Sequence, residues 1–372
     1  VAVLELAAQA PKAREIDGER QEQREDQERH DRGGDPDERP ALRDLGLLHQ
    51  QAGRSHEAIT AWQNALMLYE DESAHAQAAR LYCDLGTVRK RIGQHQRALR
   101  DYEKALTTLN GVDEGDIETR GLVLSNAANA FAEQGDAESA DAFFNEAIGL
   151  ADKLGDEIAL STRRGNYAYF LIQTGRPRRA IPLLEAALRL SRARELHLQT
   201  AIQLDNLGLA HDASGDYAQA LDLHEQAFAA INSLGHPYWQ AVIALNLACT
   251  QLALAQIDEA VAHFERVRQA DISAAHLELR VRALTGLGLV ALRRHDLEQA
   301  AASIEEAVTL AREHDLRRWL ADALSACSEL HAAQGSPDQA ESVWQEAARY
   351  YNMLHMLQGK RTPGWLTHDH KA

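Results

Sequence analysis

Cysteine is scarce in this chain. The three present, Cys83, Cys249 and Cys327, form an odd, scattered set with no CxxC pair. That argues against a disulfide framework and a structural zinc site, and it points to a reducing, cytoplasmic setting. Aromatic residues make up only 5% of the sequence, which suits alanine-rich helix packing and not a β-sandwich. Positive charge is in deficit, 56 acids against 39 bases, for a net charge of −17. No basic stripe offers itself to a phosphate backbone, so we expect no nucleic-acid binding. The short runs Arg89-Lys90-Arg91 and Arg163-Arg164 read as solvated or partner-facing patches. No apolar run approaches the ~18 residues of a membrane span. The opening VAVLELAAQA carries Glu5 and no basic leader, unlike a signal peptide.

Catalytic signatures are also missing. There is no GxxxxGK[ST] phosphate loop, no GxSxG elbow and no HExxH. His224-Glu225 starts like the last but lacks a second histidine four residues on. His368-Asp369-His370 near the C-terminus makes a weak metal site at most. We therefore expect no catalysis, no cofactor and no metal.

What the sequence does have is a period. A small alanine recurs at Ala58, Ala98, Ala140, Ala180, Ala220, Ala260, Ala300 and Ala340. Each step is 40 residues except the one to Ala140, which is 42. Seven residues after each stands Ala65, Ala105, Ala147, Ala187, Ala227, Val267, Ala307 or Ala347. Between them sits a bulky residue: Trp62, Tyr102, Phe144, Leu184, Phe264, Ile304 and Trp344, with His224 as the exception, read as a buried stand-in for an aromatic. Leu-Gly pairs precede them at 45–46, 85–86, 207–208 and 287–288. A glycine marks the turn inside most units, at Gly53, Gly93, Gly135, Gly175, Gly215 and Gly335, whereas Ala255 and His295 replace it in units six and seven. One amphipathic helix pair cannot bury its apolar face alone, but stacked pairs share a continuous core.

This pattern resembles the tetratricopeptide repeat, in a variety longer than the usual period of ~34 residues. The likeness extends to the repeats of STAND-type bacterial regulators, kinesin light chains and Rap-type peptide receptors. It implies an all-α, right-handed α-α superhelical solenoid of eight helix-turn-helix repeats over residues 41–357. The expected repeats are about 41–72, 73–112, 113–155, 156–194, 195–235, 236–272, 273–315 and 316–357. Residues 1–40 read as a charged, disordered linker, since 12–39 carry eleven acids and seven bases and almost no apolar content. Residues 358–372 read as a tail, with no polar capping helix over the exposed Tyr350, Tyr351, Met353 and Met356. Asp216 is placed to cap the helix after Gly215. Pro182 should cost stability or kink its helix. The chain does not start with methionine, so we expect a piece of a longer protein.

Position six of each first helix carries the strongest functional signal: Asp44, Asp84, Asn126, Asn166, Asn206, Asn246, Gly286, Ala326. Four of the ten asparagines in the chain stand in one column. Asparagine costs ~0.5 kcal/mol against alanine inside a helix, and its amide both donates and accepts, matching a peptide group. Asn129, Tyr169, Leu209 and Cys249 flank that column, as do Leu122, Thr162, Ile202 and Val242, making a neutral, partly apolar stripe. Arg80, Arg91, Arg282 and Arg293 stand at its ends. In the resembled repeats such a stripe lines a groove whose asparagines hold an extended peptide. The alternative is that the asparagines bond only neighbouring helices. The stripe departs from the Lys/Arg-plus-Asn clamp for C-terminal carboxylates in chaperone-binding relatives.

The expectation is a non-enzymatic scaffold or sensor for a protein or peptide in bacterial signalling. Two alternatives stand: the C-terminal arm of a larger STAND-type ATPase or transcription regulator, and a repeat domain attached to an enzyme.

Overall fold

The computed structural model describes residues 39–52, 54–70, 74–109, 117–271 and 276–354. The charged N-terminal segment, the 110–116 connection, Gly53, Met356 and the tail with its His-Asp-His lie outside them. Among the described residues there are sixteen helices and no strand. They come in pairs: α1 (Arg39–Gln51) with α2 (Ser55–Glu70), α3 (His75–Arg91) with α4 (His95–Thr108), α5 (Ile117–Gln134) with α6 (Ala137–Leu154), and α7 (Glu157–Gln173) with α8 (Pro177–Ala193). The series continues with α9 (His197–Ser214) and α10 (Tyr217–Leu234), α11 (Pro237–Ala253) and α12 (Ile257–Gln269), α13 (Leu277–Arg293) and α14 (Leu297–Glu313), and α15 (Arg317–Ala333) and α16 (Pro337–Met353). The chain is an all-α array of helix-pair repeats. It divides into two compact units between Val123 and Leu124, inside α5.

The packing explains the period. A small residue on each first helix lies sixteen positions before the bulky residue of its second helix. At Gly86 an added Cβ would sit 2.8 Å from the Tyr102 ring, and at Gly208 it would sit 2.7 Å from the His224 ring. Side chains there would push the pair apart. Where the column holds Ala128, Ala168, Ala248 or Ser328, those residues are fully buried. Trp62, Phe144, Leu184 and Phe264 are also fully buried, each contributing about 1.5–3 kcal/mol through the area removed from water.

The turns inside repeats need a left-handed residue. Gly93, Gly135, Gly175, Gly215 and Gly335 all have positive φ. Ala255 and His295 adopt the same conformation without being glycine, at φ 60° and 58°. An L-residue there costs about 1–2 kcal/mol, more than glycine loses through its greater freedom when unfolded. Ala255→Gly and His295→Gly should each raise stability by about 0.5–1 kcal/mol, read as a higher denaturation midpoint. A fall in the midpoint would contradict this account of the turn.

Several helix starts are capped: Asp136, Asp156 and Asp296 accept hydrogen bonds from the amides of Ser139, Ala159 and Gln299. Asp216 stands at the same position but caps nothing. Its carboxylate lies 3.4 Å from His211 Nδ1 instead. Pro182 lies on the exposed face of α8, and the helix runs through it from Pro177 to Ala193.

Two of the supposedly solvated arginines are buried. Arg89 lies on the packed face of α3, and its Nη1 donates to both carboxylate oxygens of Asp101 at 2.7 and 2.9 Å. Arg163 donates to the Ala147 carbonyl across the core at 2.9 Å. Tyr351 is buried as well, not exposed, and its hydroxyl donates to Asp322 at 2.7 Å. Cys249 is exposed on the first-helix stripe, whereas Cys83 is buried.

Candidate functional site

In the second unit, the first helices α7, α9, α11, α13 and α15 carry the stripe. Asn166 and Asn206 are half-buried, and among the described residues no side-chain hydrogen bond engages either amide. Asn126 is half-buried too. Asn129 turns back on its own helix and donates to the Ser125 carbonyl at 3.0 Å. Leu209 is half-buried beside Asn206 on the same face.

Asn246 differs from its column. It is buried, and its amide is engaged on both sides. Nδ2 donates to Asp205 Oδ2 at 2.8 Å, and Oδ1 accepts from Arg282 Nη2 at 2.5 Å. The other oxygen of Asp205 lies 2.8 Å from Nδ1 of the fully buried His224. A polar chain thus runs from His224 in the core through Asp205 and Asn246 to Arg282 on the stripe. Such chains fix the orientation of every member.

Arg282 in turn lies 4.8 Å from the centre of the Trp319 ring. Arg318 covers the same ring at 4.3 Å. Its Nη1 donates to the Tyr169 hydroxyl at 2.6 Å, joining α15 to α7 across 149 residues of sequence. The first helices of the fourth and eighth repeats therefore meet on the inside of this unit. Tyr238 adjoins the cluster, and burial, with the charge of Glu278, pushes its hydroxyl above the usual range. Arg293 is exposed and faces Glu329, whose carboxyl is raised by burial and drawn back by Arg293.

The remaining arginines of the stripe, Arg80 and Arg91, belong to the first unit and are exposed there. Arg91 Nη2 reaches Ser55 Oγ at 3.4 Å. Burial lifts the Asp84 carboxyl from 3.8 to about 6, against the pull of Arg80 and Arg43. A carboxyl whose folded pKa is raised favours the fold while protonated, and that stability is lost as pH rises through about 6. Asp84→Asn should therefore exceed the parent chain in stability by about 1–3 kcal/mol near pH 8 and match it near pH 4. Melting curves across that range check the sign.

Asp205, Tyr238, Arg318 and Trp319 were not singled out by sequence. Asp205 lies beside the asparagine column, and the arginine and tryptophan lie just ahead of the repeat register. Among the described residues no group of three His, Cys, Asp or Glu side chains is placed to hold a metal ion. No described helix is long and apolar enough to cross a membrane.

Paired helices, a small-against-bulky column and a polar stripe on the first helices define a helix-pair repeat protein. The chain belongs to the tetratricopeptide-repeat family: tetratricopeptide-repeat models match residues 37–110, 123–154, 156–233 and 245–315. No curated protein matches the chain by sequence. Among solved structures, a Rap protein complexed with competence and sporulation factor is 16% identical, with a TM-score of 0.63 over 86% of this chain and 97% of that one. The Rap conjugation gene regulator of plasmid pLS20, in complex with the Phr* peptide, is 14% identical, with a TM-score of 0.64 over 88% and 99%. A STAND protein with a tetratricopeptide-repeat sensor from Pyrococcus horikoshii is 15% identical, with a TM-score of 0.54 over 84% of this chain and 47% of that one. At these identities the likeness is one of fold.

Proposed function

We propose that the chain is a non-catalytic binding module whose first-helix stripe holds the backbone of an extended peptide or protein segment. The observation that carries this reading is the contrast within the asparagine column. Asn246 is bonded internally, whereas Asn166 and Asn206, one repeat apart, keep their amides unengaged among the described residues. A residue that costs ~0.5 kcal/mol in a helix and makes no internal bond is placed for an external one. Asn126, Asn129 and Leu209 extend the same face, and the arginines at positions 80, 91, 282 and 293 flank it in sequence. Two proteins of the same fold, both of the Rap type, are in complex with competence and sporulation factor and with the Phr* peptide. In support of a sensor role, a STAND protein from Pyrococcus horikoshii carries a tetratricopeptide-repeat sensor of this fold.

The test begins by selecting binders from a random peptide library on the full chain. Asn166→Ala and Asn206→Ala should leave the melting temperature unchanged or raised, since alanine is the better helix former. Each should weaken the selected peptides by roughly 0.5–1.5 kcal/mol, the net worth of a hydrogen bond. If both variants melt earlier and bind as before, the asparagines are structural and this assignment falls.

A further inference from the structure

Among the described residues, many arginines pair with a carboxylate. Arg89 holds Asp101, Arg176 holds Asp141, Arg280 holds Glu306, Arg294 holds Asp258 and Arg312 holds Glu346. Arg317 takes Asp315 at 3.0 Å. Among the described residues, neither the next residue, Arg318, nor Arg282 forms an ion pair with a carboxylate within 4 Å. Both rest on one indole ring, at 4.3 and 4.8 Å from its centre. The acceptors they do have are neutral, the Asn246 amide oxygen and the Tyr169 hydroxyl. Arg318 Nε is buried and has no hydrogen-bond partner among the described residues.

Asp322 favours the Arg318 guanidinium as a nearby charge without forming an ion pair with it, and the acids around the cluster have hydrogen-bond partners of their own. Asp205 holds His224 and Asn246, Asp322 accepts from the Tyr351 hydroxyl, and Glu278 lies 3.3 Å from His276 Nδ1. Two guanidiniums against one ring repel each other, and withdrawal from water strengthens that repulsion. Each carries five N–H donors in a rigid fork suited to a carboxylate, and most of those donors are unused here. Arg282, Arg318, Trp319 and Tyr169 are all half-buried, so the cluster is reachable from the stripe.

We infer that Arg282 and Arg318, both stacked on Trp319, form an anion subsite that takes the side-chain carboxylate of an Asp or Glu of the bound peptide. The inference rests on the peptide-binding reading. Asn246 is a positioning residue: Asp205 orients its amide, and its oxygen holds Arg282. On binding, the carboxylate takes over the Arg318 donor that now reaches Tyr169. The charge-assisted bond that results is stronger than the one to a neutral phenol.

The test uses the full chain and the peptides selected above. The tightest binder is resynthesised with each Asp or Glu changed to its amide, and separately with an amidated C-terminus. One side-chain neutralisation should weaken binding about 10–100-fold, the worth of a charged hydrogen bond, whereas loss on C-terminal amidation alone would overturn the side-chain subsite. Arg282→Gln and Arg318→Gln should each bring the acidic peptide and its neutralised form to the same affinity. Arg318→Lys, which keeps the charge and is the safer change for folding, should retain part of the preference. Asn246→Ala should reduce it without touching the neutralised peptide. Selected peptides that lean on Asn166 and Asn206 yet ignore neutralisation, or an acid preference that survives Arg318→Gln, would overturn the subsite and leave the groove standing. Selection that yields nothing beyond what the Asn166→Ala and Asn206→Ala variants retain would overturn both.

Discussion

Asp101→Ala should destabilise the first unit by about 3–5 kcal/mol, the cost of leaving one partner of a buried ion pair alone. Arg89 would then lose the carboxylate that its Nη1 holds, at the α3–α4 core, where both side chains of the pair are at least nine-tenths buried. Denaturant titration, with amide exchange reporting on α3 and α4, measures the loss. The paired replacement Arg89→Met with Asp101→Leu should recover most of it, because well-packed apolar residues often match or exceed a buried ion pair. If the single change costs under about 1 kcal/mol, the pair behaves as a solvated surface bridge and the burial assigned to α3 is wrong.

Asp205→Ala is the second large effect. It strips the acceptor from the buried amide of Asn246 and leaves His224 Nδ1 without its partner. Each orphaned group costs about 1–3 kcal/mol, so the variant should lose about 2–5 kcal/mol and melt well below the parent. Asp205→Asn keeps one acceptor oxygen and sets its own amide against a donor, so it should fall between the two. A parent-like melting curve for Asp205→Ala would mean the chain from His224 to Arg282 holds nothing in place.

The repeat register was legible in sequence because it rests on a local rule. A small residue and a bulky one sixteen positions apart must face each other across one helix pair, as at Gly86 and Tyr102 or Gly208 and His224. The left-handed turns were legible for the same reason, down to the two places where Ala255 and His295 stand in for glycine. Charge runs misled because adjacent residues point to different faces of a helix. Arg89 sits at position eleven of its unit, on the packed stripe, while its neighbour Arg91 is exposed. The asparagine column could be read as a column, but its fourth member could not be told from the others. What distinguishes Asn246 is Asp205 one repeat back and Arg282 one repeat on. The meeting of Tyr169 with Arg318 had no sequence signal at all, since it depends on how five helix pairs curl.

That meeting also bears on how the chain comes off the ribosome. An ideal repeat array couples only neighbours, so each pair can settle as soon as the next one emerges. The Tyr169 hydroxyl instead waits for a guanidinium 149 residues downstream. At about 5–20 residues per second of synthesis, roughly 7–30 seconds pass before that guanidinium exists. Through that interval the nascent stripe stays open at its far end, with Tyr169 and the neighbouring asparagines accessible to whatever segment arrives first.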